Sequence, residues 1–96
     1  MSTMGKKTVR YNKSGAEKLP NNKPAVYRIQ TESGRTNYVG TAKRGRVTER
    51  VQEHLADAKI PGSKVKIEQT PSIKEALRRE QNIITRTQPK YNNQGK

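Results

Sequence analysis

"AVYRIQTESGRTNYVG", residues 25–40, is the stretch that decides the fold. Its two ends are rich in β-branched and aromatic residues, and its centre is polar with a glycine. That pattern predicts two strands joined by a turn. If Glu32–Arg35 form a four-residue turn, residues whose numbers sum to 67 face each other, so Ile29 opposes Tyr38 and Tyr27 opposes Gly40. Side chains alternate along a strand, so Tyr27, Ile29 and Tyr38 then share one face. Gly40 leaves open space beside the Tyr27 ring. The chain has only four aromatic residues, all Tyr, and two of them sit on this hairpin. Strand propensity alone accounts for tyrosine in strands. Any further meaning depends on what the rest of the chain brings to that face.

Downstream, Val47, Val51, Leu55 and Ala58 recur at helical spacing and predict a helix from about Arg46 to Ala58. Arg50 and His54 are four apart, stacked on the border of that stripe. "IPG" ends the helix, and "SKVKIEQ" alternates as a third strand with Val65 and Ile67 inward. A second long helix follows. Ser72 with Glu75 three residues later reads as a capping box, and Thr70 with Pro71 is an equally reasonable start. Its apolar stripe runs Ile73, Ala76, Leu77, Ile83, Ile84, interrupted by Glu80. Desolvating an unpaired carboxylate costs on the order of several kcal/mol. Glu80 therefore calls for a salt-bridge partner such as Arg50, a stripe-edge position that reaches solvent, or a metal and phosphate site.

Composition bounds the rest. Leu, Ile, Val and Phe make up 15 of 96 residues and the net charge is +13, so disorder is a live alternative on composition alone. The apolar residues nevertheless cluster between 25 and 86, which predicts a thin-cored domain. Residues 1–24 carry six Lys/Arg against one Glu among Gly, Asn, Ser and Pro. They read as a flexible basic arm touching the sheet through Val9 or Tyr11, followed by a domain over 25–92 and a tail over 93–96. The expected fold is α+β, a small three-stranded antiparallel sheet flanked by helices. With 21 basic and 8 acidic residues, the first expected partner is nucleic acid, because Lys and Arg neutralise phosphates and release counterions. No membrane-spanning run and no targeting motif is visible, so a cytoplasmic protein is expected. The absence of cysteine excludes disulfides, thiolate metal sites and cysteine nucleophiles.

Taken in order, the chain shows "AVY" (25–27), "YVG" (38–40), "RVQEH" (50–54) and "EQNIITRTQPKYN" (80–92). This series resembles the GIY-YIG nuclease family, and its last stretch is similar to the N-terminal nuclease domain of bacterial UvrC. The resemblance covers about residues 25–92. It implies a metal-dependent endonuclease that hydrolyses phosphodiester bonds, most of all in DNA, through one Mg²⁺ or Mn²⁺ ion. It implies Tyr27, Tyr38, Arg50, His54, Glu80 and Asn92 as catalytic residues, with Glu80 on the metal.

The residue types suit that chemistry. A carboxylate is the hard oxygen ligand Mg²⁺ takes, with water in most other positions. Arginine presents a fixed fork to phosphate. A tyrosine takes a proton from water only if its pKa is lowered from about 10, and His54 is placed to accept the phenolic proton. Tyr27 is favoured as base and Tyr38 as phosphate positioner, with the roles exchangeable. Gly40, Thr41, Lys43, Arg44, Arg46 and Lys90 are the expected nucleic-acid contacts. The first signature is "AVY" rather than Gly-Ile-Tyr, and Thr41 stands where UvrC-like members carry lysine. The loop between Gly40 and Arg50 is two residues longer than the family pattern, so Arg50 is aligned by its "RVxxH" context rather than by strict count, with Arg46 as the alternative candidate. So small a chain would draw specificity from its basic arm, a homodimer or a separate recognition partner. The rival from another class is a catalytically inactive nucleic-acid-binding module on the same fold; a mostly disordered basic protein is the second.

Overall fold

A computed structural model describes residues 6–93. The elements run β1 (Lys6–Arg10), α1 (Lys13–Glu17), β2 (Ala25–Gln30), β3 (Thr36–Ala42), α2 (Val47–Asp57), β4 (Lys64–Gln69) and α3 (Ile73–Thr87), ending in a 3₁₀ turn at Lys90–Asn93. All strand pairs are antiparallel, in the order β1-β4-β2-β3. The fold is α+β as expected, but the sheet has four strands rather than three.

The hairpin register matches the expectation. Ile29 faces Tyr38 and Tyr27 faces Gly40. Beyond Ile29 the register shifts, so that Gln30 meets Thr36 and Asn37 is the extra residue on β3. Asn37 is stabilised elsewhere, donating its side-chain amide to the Pro61 carbonyl at 2.8 Å.

The additional strand comes from the segment read as a flexible arm. From residue 6 onward that segment is folded: Val9 pairs with Val65 and joins the core, and Tyr11 donates its hydroxyl to the Ile60 carbonyl at 3.0 Å. A strand with one apolar residue among cations leaves no alternating pattern to read. It is held by its ladder to β4 and by α1 beneath it. Asn21, also in that segment, caps α2: its side-chain oxygen accepts from the backbone N–H of Val47 at 2.9 Å and of Thr48 at 3.1 Å. Arg46, at the N-cap position itself, makes no such bond. Residues 1–5 of the expected arm and 94–96 of the expected tail lie outside the described residues.

The two faces of the sheet are unequal. Val9, Ala25, Tyr27, Ile29, Ala42, Val65 and Ile67 project to one side, where Val47 and Val51 of α2 and Ala16 and Leu19 around α1 close the main core. On the other side α3 lays Ile83 and Ile84 on Val26 and Val39. Ser72 is the N-cap of α3, its hydroxyl accepting from the Glu75 N–H at 3.2 Å. Leu77, expected in the buried stripe, is 46% exposed, and Ala58 is the exposed left-handed C-cap of α2. No helix among the described residues is long and apolar enough to cross a membrane.

Candidate active site

Three rings meet where the hairpin passes under α2. The Tyr27 hydroxyl lies 2.8 Å from His54 Nε2, and the His54 ring stands edge-on to Tyr38 with centroids 4.8 Å apart. The two tyrosine rings are 6.2 Å apart. The strand register delivers both tyrosines to one face, and α2 delivers His54 one turn after Arg50. Tyr27 is fully buried, while Tyr38 and His54 are half-buried.

Gly40 makes this close packing feasible. A Cβ there would come within 2.6 Å of the Tyr27 Cζ and hydroxyl and 2.9 Å of the Tyr38 ring. The requirement is for space, since the positive-φ glycines of the chain lie elsewhere.

Burial sets the electrostatics. It is the largest cause of a Tyr27 pKa far above the usual tyrosine value; Tyr38 adds to the rise, Arg50 pulls it down, and the Glu80 charge pushes it up again. Tyr38 is raised by burial, again with Arg50 and Glu80 pulling in opposite directions. His54 is lowered by burial and then by Arg50, so the imidazole is neutral near pH 7. A neutral ring protonated on Nδ1 accepts the Tyr27 proton at Nε2. Arg50 and Glu80 thus both lie within electrostatic reach of the two hydroxyls, on α2 and α3 respectively.

A single hard divalent ion fits the donor set. No cluster of three or more His, Asp or Glu side chains exists among the described residues. Mg²⁺ needs none: it keeps several waters and binds through one or two carboxylates plus substrate phosphate. Glu80, half-buried on α3 and within electrostatic reach of both tyrosines, is the carboxylate that would hold it.

The other expected residues divide. Thr41, Lys43, Arg46 and Arg50 line one hollow of about 330 Å³ together with Ile73 and Leu77. Arg46 pairs with Glu49 at 2.6 Å and Arg50 with Glu53 at 3.4 Å; of the two, Arg50 is the one within electrostatic reach of the tyrosine hydroxyls. Arg44 is exposed on the loop before α2. Lys90 is exposed as well, its ammonium 5.6 Å from the centre of the Tyr91 ring. Asn92 is not among the rings. Its side chain accepts from the Val39 N–H at 2.7 Å and donates to the Val39 carbonyl at 2.8 Å, clamping the free edge of β3. It therefore positions the strand between Tyr38 and Gly40. Tyr91 went unread in the sequence; it lines a hollow with Tyr38 and His54, and a lone tyrosine after a proline gives no signal of that.

Residues 23–93 match the family model described as the UvrC-like GIY-YIG domain. The chain belongs to the GIY-YIG family. Among solved structures, it is similar to the N-terminal endonuclease domain of UvrC from Thermotoga maritima bound to its catalytic divalent cation, magnesium, at 24% identity and TM-score 0.60. An asparagine-to-alanine point mutant of that domain matches at 24% and 0.61, and a tyrosine-to-phenylalanine point mutant at 23% and 0.60. Each match covers 76% of this chain and 86% of the other. No curated protein matches the chain.

Proposed function

We propose that this GIY-YIG chain is a metal-dependent endonuclease that hydrolyses phosphodiester bonds in DNA. One observation carries the reading: the buried Tyr27 hydroxyl is hydrogen-bonded to a neutral His54, with Arg50 and Glu80 both within electrostatic reach of it. A water attacking phosphorus loses its proton to Tyr27 as Tyr27 passes its own to His54 Nε2; the P–O bond to the leaving sugar oxygen breaks, and that oxygen takes a proton from solvent. Concerted transfer avoids a free phenolate, which burial disfavours. Arg50 meets the non-bridging oxygens, where charge grows in the transition state. Tyr38 positions the phosphate. Lys43, Arg44, Arg46 and Lys90, with Thr41, contact the backbone of the nucleic acid, while Gly40, buried against the tyrosine rings, serves their packing instead. A single Mg²⁺ or Mn²⁺ held by Glu80 would supply Lewis-acid charge at the phosphate and offset the Glu80 charge that raises both tyrosines.

A second assignment of roles rests on exposure. Tyr27 is fully covered and Tyr38 is not, which favours Tyr38 as the group that meets the water, with Tyr27 holding His54. The experiment is plasmid nicking with Mg²⁺ or Mn²⁺. Glu80→Ala should abolish cutting and retain binding. Of Tyr27→Phe and Tyr38→Phe, the one that removes the base should lose about 10²–10⁴ in rate. Wild-type protein that binds and never cuts with either metal would instead be the inactive binding module.

A further inference from the structure

The face of the sheet opposite the tyrosines carries a second concentration of positive charge. Lys6 and Arg10 of β1, Lys64 and Lys66 of β4, and Arg28 of β2 all project to that side, because their neighbours Val9, Val65, Ile67, Tyr27 and Ile29 point into the main core. The register sets like charges directly opposite each other: Arg10 against Lys64, and Arg28 against Lys66. Such pairs destabilise a sheet. The only carboxylate in this grid, Glu68, is taken by Arg79 of α3. Arg28 also lines a hollow of about 160 Å³ with Arg86. Among the described residues, none of these six cations is in an ion pair. Among the described residues, α3 packs chiefly on β2 and β3 and meets β4 through the Arg79–Glu68 pair, leaving Lys64 and Lys66 of β4 and the outward side chains of β1 uncovered by a helix on this side.

We propose that this bare face is a second track for the phosphate backbone of nucleic acid, and that it holds a duplex arm other than the one being cut. The inference rests on the nuclease reading above for the identity of its ligand. Five residues of β1 span about 14 Å, at roughly 3.4 Å each. Duplex DNA presents about eight charges over that length. Same-sign cations fixed on a rigid ladder are stabilised when phosphates replace their counterions. The sheet itself separates this track from the tyrosines, so a straight duplex cannot occupy both. A branched substrate, with one arm at the site and another on the opposite face, engages both at once.

The test uses Lys64→Glu/Lys66→Glu in the Glu80→Ala background, so that a chain that never cuts still reports. Each substitution places a carboxylate opposite an arginine, so the variant should melt at or above the parent temperature. Its affinity for a three-way DNA junction, read by fluorescence anisotropy, should fall at least tenfold, and the slope of log affinity against log salt should fall by about two. The preference of the parent for the junction over a linear duplex of equal length should disappear. Lys13→Glu/Arg35→Glu, with the same change in net charge away from this face, serves as control. Equal loss in the control, an unchanged salt slope, or no junction preference in the parent would overturn the proposal. So would a variant that loses binding to phosphatidylserine vesicles while keeping the junction. If the Glu pair lowers the melting temperature, Lys64→Gln/Lys66→Gln replaces it; that form removes the repulsion and should still weaken junction binding.

Discussion

The two faces of one sheet follow opposite rules. On the tyrosine face nearly every residue is buried, and the candidate site is made of core material: Tyr27 is at once the largest fully buried side chain and the hydroxyl bonded to His54. On the other face a small cluster under α3 carries the packing, and the charges stand apart from it. Stability and chemistry are therefore fused on one side and separable on the other. Substitutions on the tyrosine face should lower melting temperature and activity together, while those on the cationic face should weaken binding without lowering the melting temperature.

Gly40→Ala is the severest way to test the fused side. The added Cβ would meet the Tyr27 hydroxyl carbon and oxygen at 2.6 Å, and Tyr27 is boxed in by core on its other sides. Overpacking of this kind costs about 1–3 kcal/mol. Moving the ring also breaks the 2.8 Å contact to His54, so nicking should fall by more than the loss of folded protein explains. A melting temperature and a nicking rate both within error of wild type would separate what the comparison joins.

How much of this was legible depends on how local the cause is. The hairpin register, the shared face of Tyr27 and Tyr38, the need for Gly40, and the Arg50–His54 spacing all follow from period-2 and period-3.6 patterns over a few residues, and the structure has each of them. β1 was missed because its single apolar residue, Val9, carries no period; its place is set by β4, more than fifty residues away. Asn21 as the cap of α2 and Asn92 as the clamp on β3 were illegible for the same reason, since each serves an element distant in sequence. Leu77 fits the helical stripe by spacing, yet α3 packs chiefly on β2 and β3, so the stripe outruns the surface it covers.

Asn92→Ala takes the comparison to the sheet edge. Both hydrogen bonds of the side chain go to the backbone of Val39, whose own side chain lies in the α3 cluster while Tyr38 and Gly40 beside it face the site. Losing two such bonds costs about 1–2 kcal/mol. Unlike Gly40→Ala, this change leaves the rings unobstructed. Destabilisation should thus accompany a modest, several-fold rate loss, and Asn92→Asp, which keeps an acceptor for the Val39 N–H, should recover part of both. A rate loss as large as that of Glu80→Ala would instead place Asn92 at the reacting atoms.

The smallest effect expected is the pH dependence of folding through His54. Burial, aided by Arg50, lowers its pKa in the folded protein, with Glu53 and Asp57 partly opposing. The unfolded chain then binds the proton more readily, so stability is full above the unfolded value of about 6.5 and is lost as pH falls through it. His54→Gln removes the titration. Between pH 7.5 and 5.5, above the carboxylate range, the wild-type melting temperature should decline more steeply than that of the variant. Parallel curves would mean that His54 is not held neutral by the core, and the proton acceptor behind Tyr27 would have to be sought elsewhere. At the alkaline end the sign reverses: the raised Tyr27 keeps its proton in the fold while the unfolded phenol ionises near 10, so stability should fall as pH rises past that point, and Tyr27→Phe should flatten the curve there.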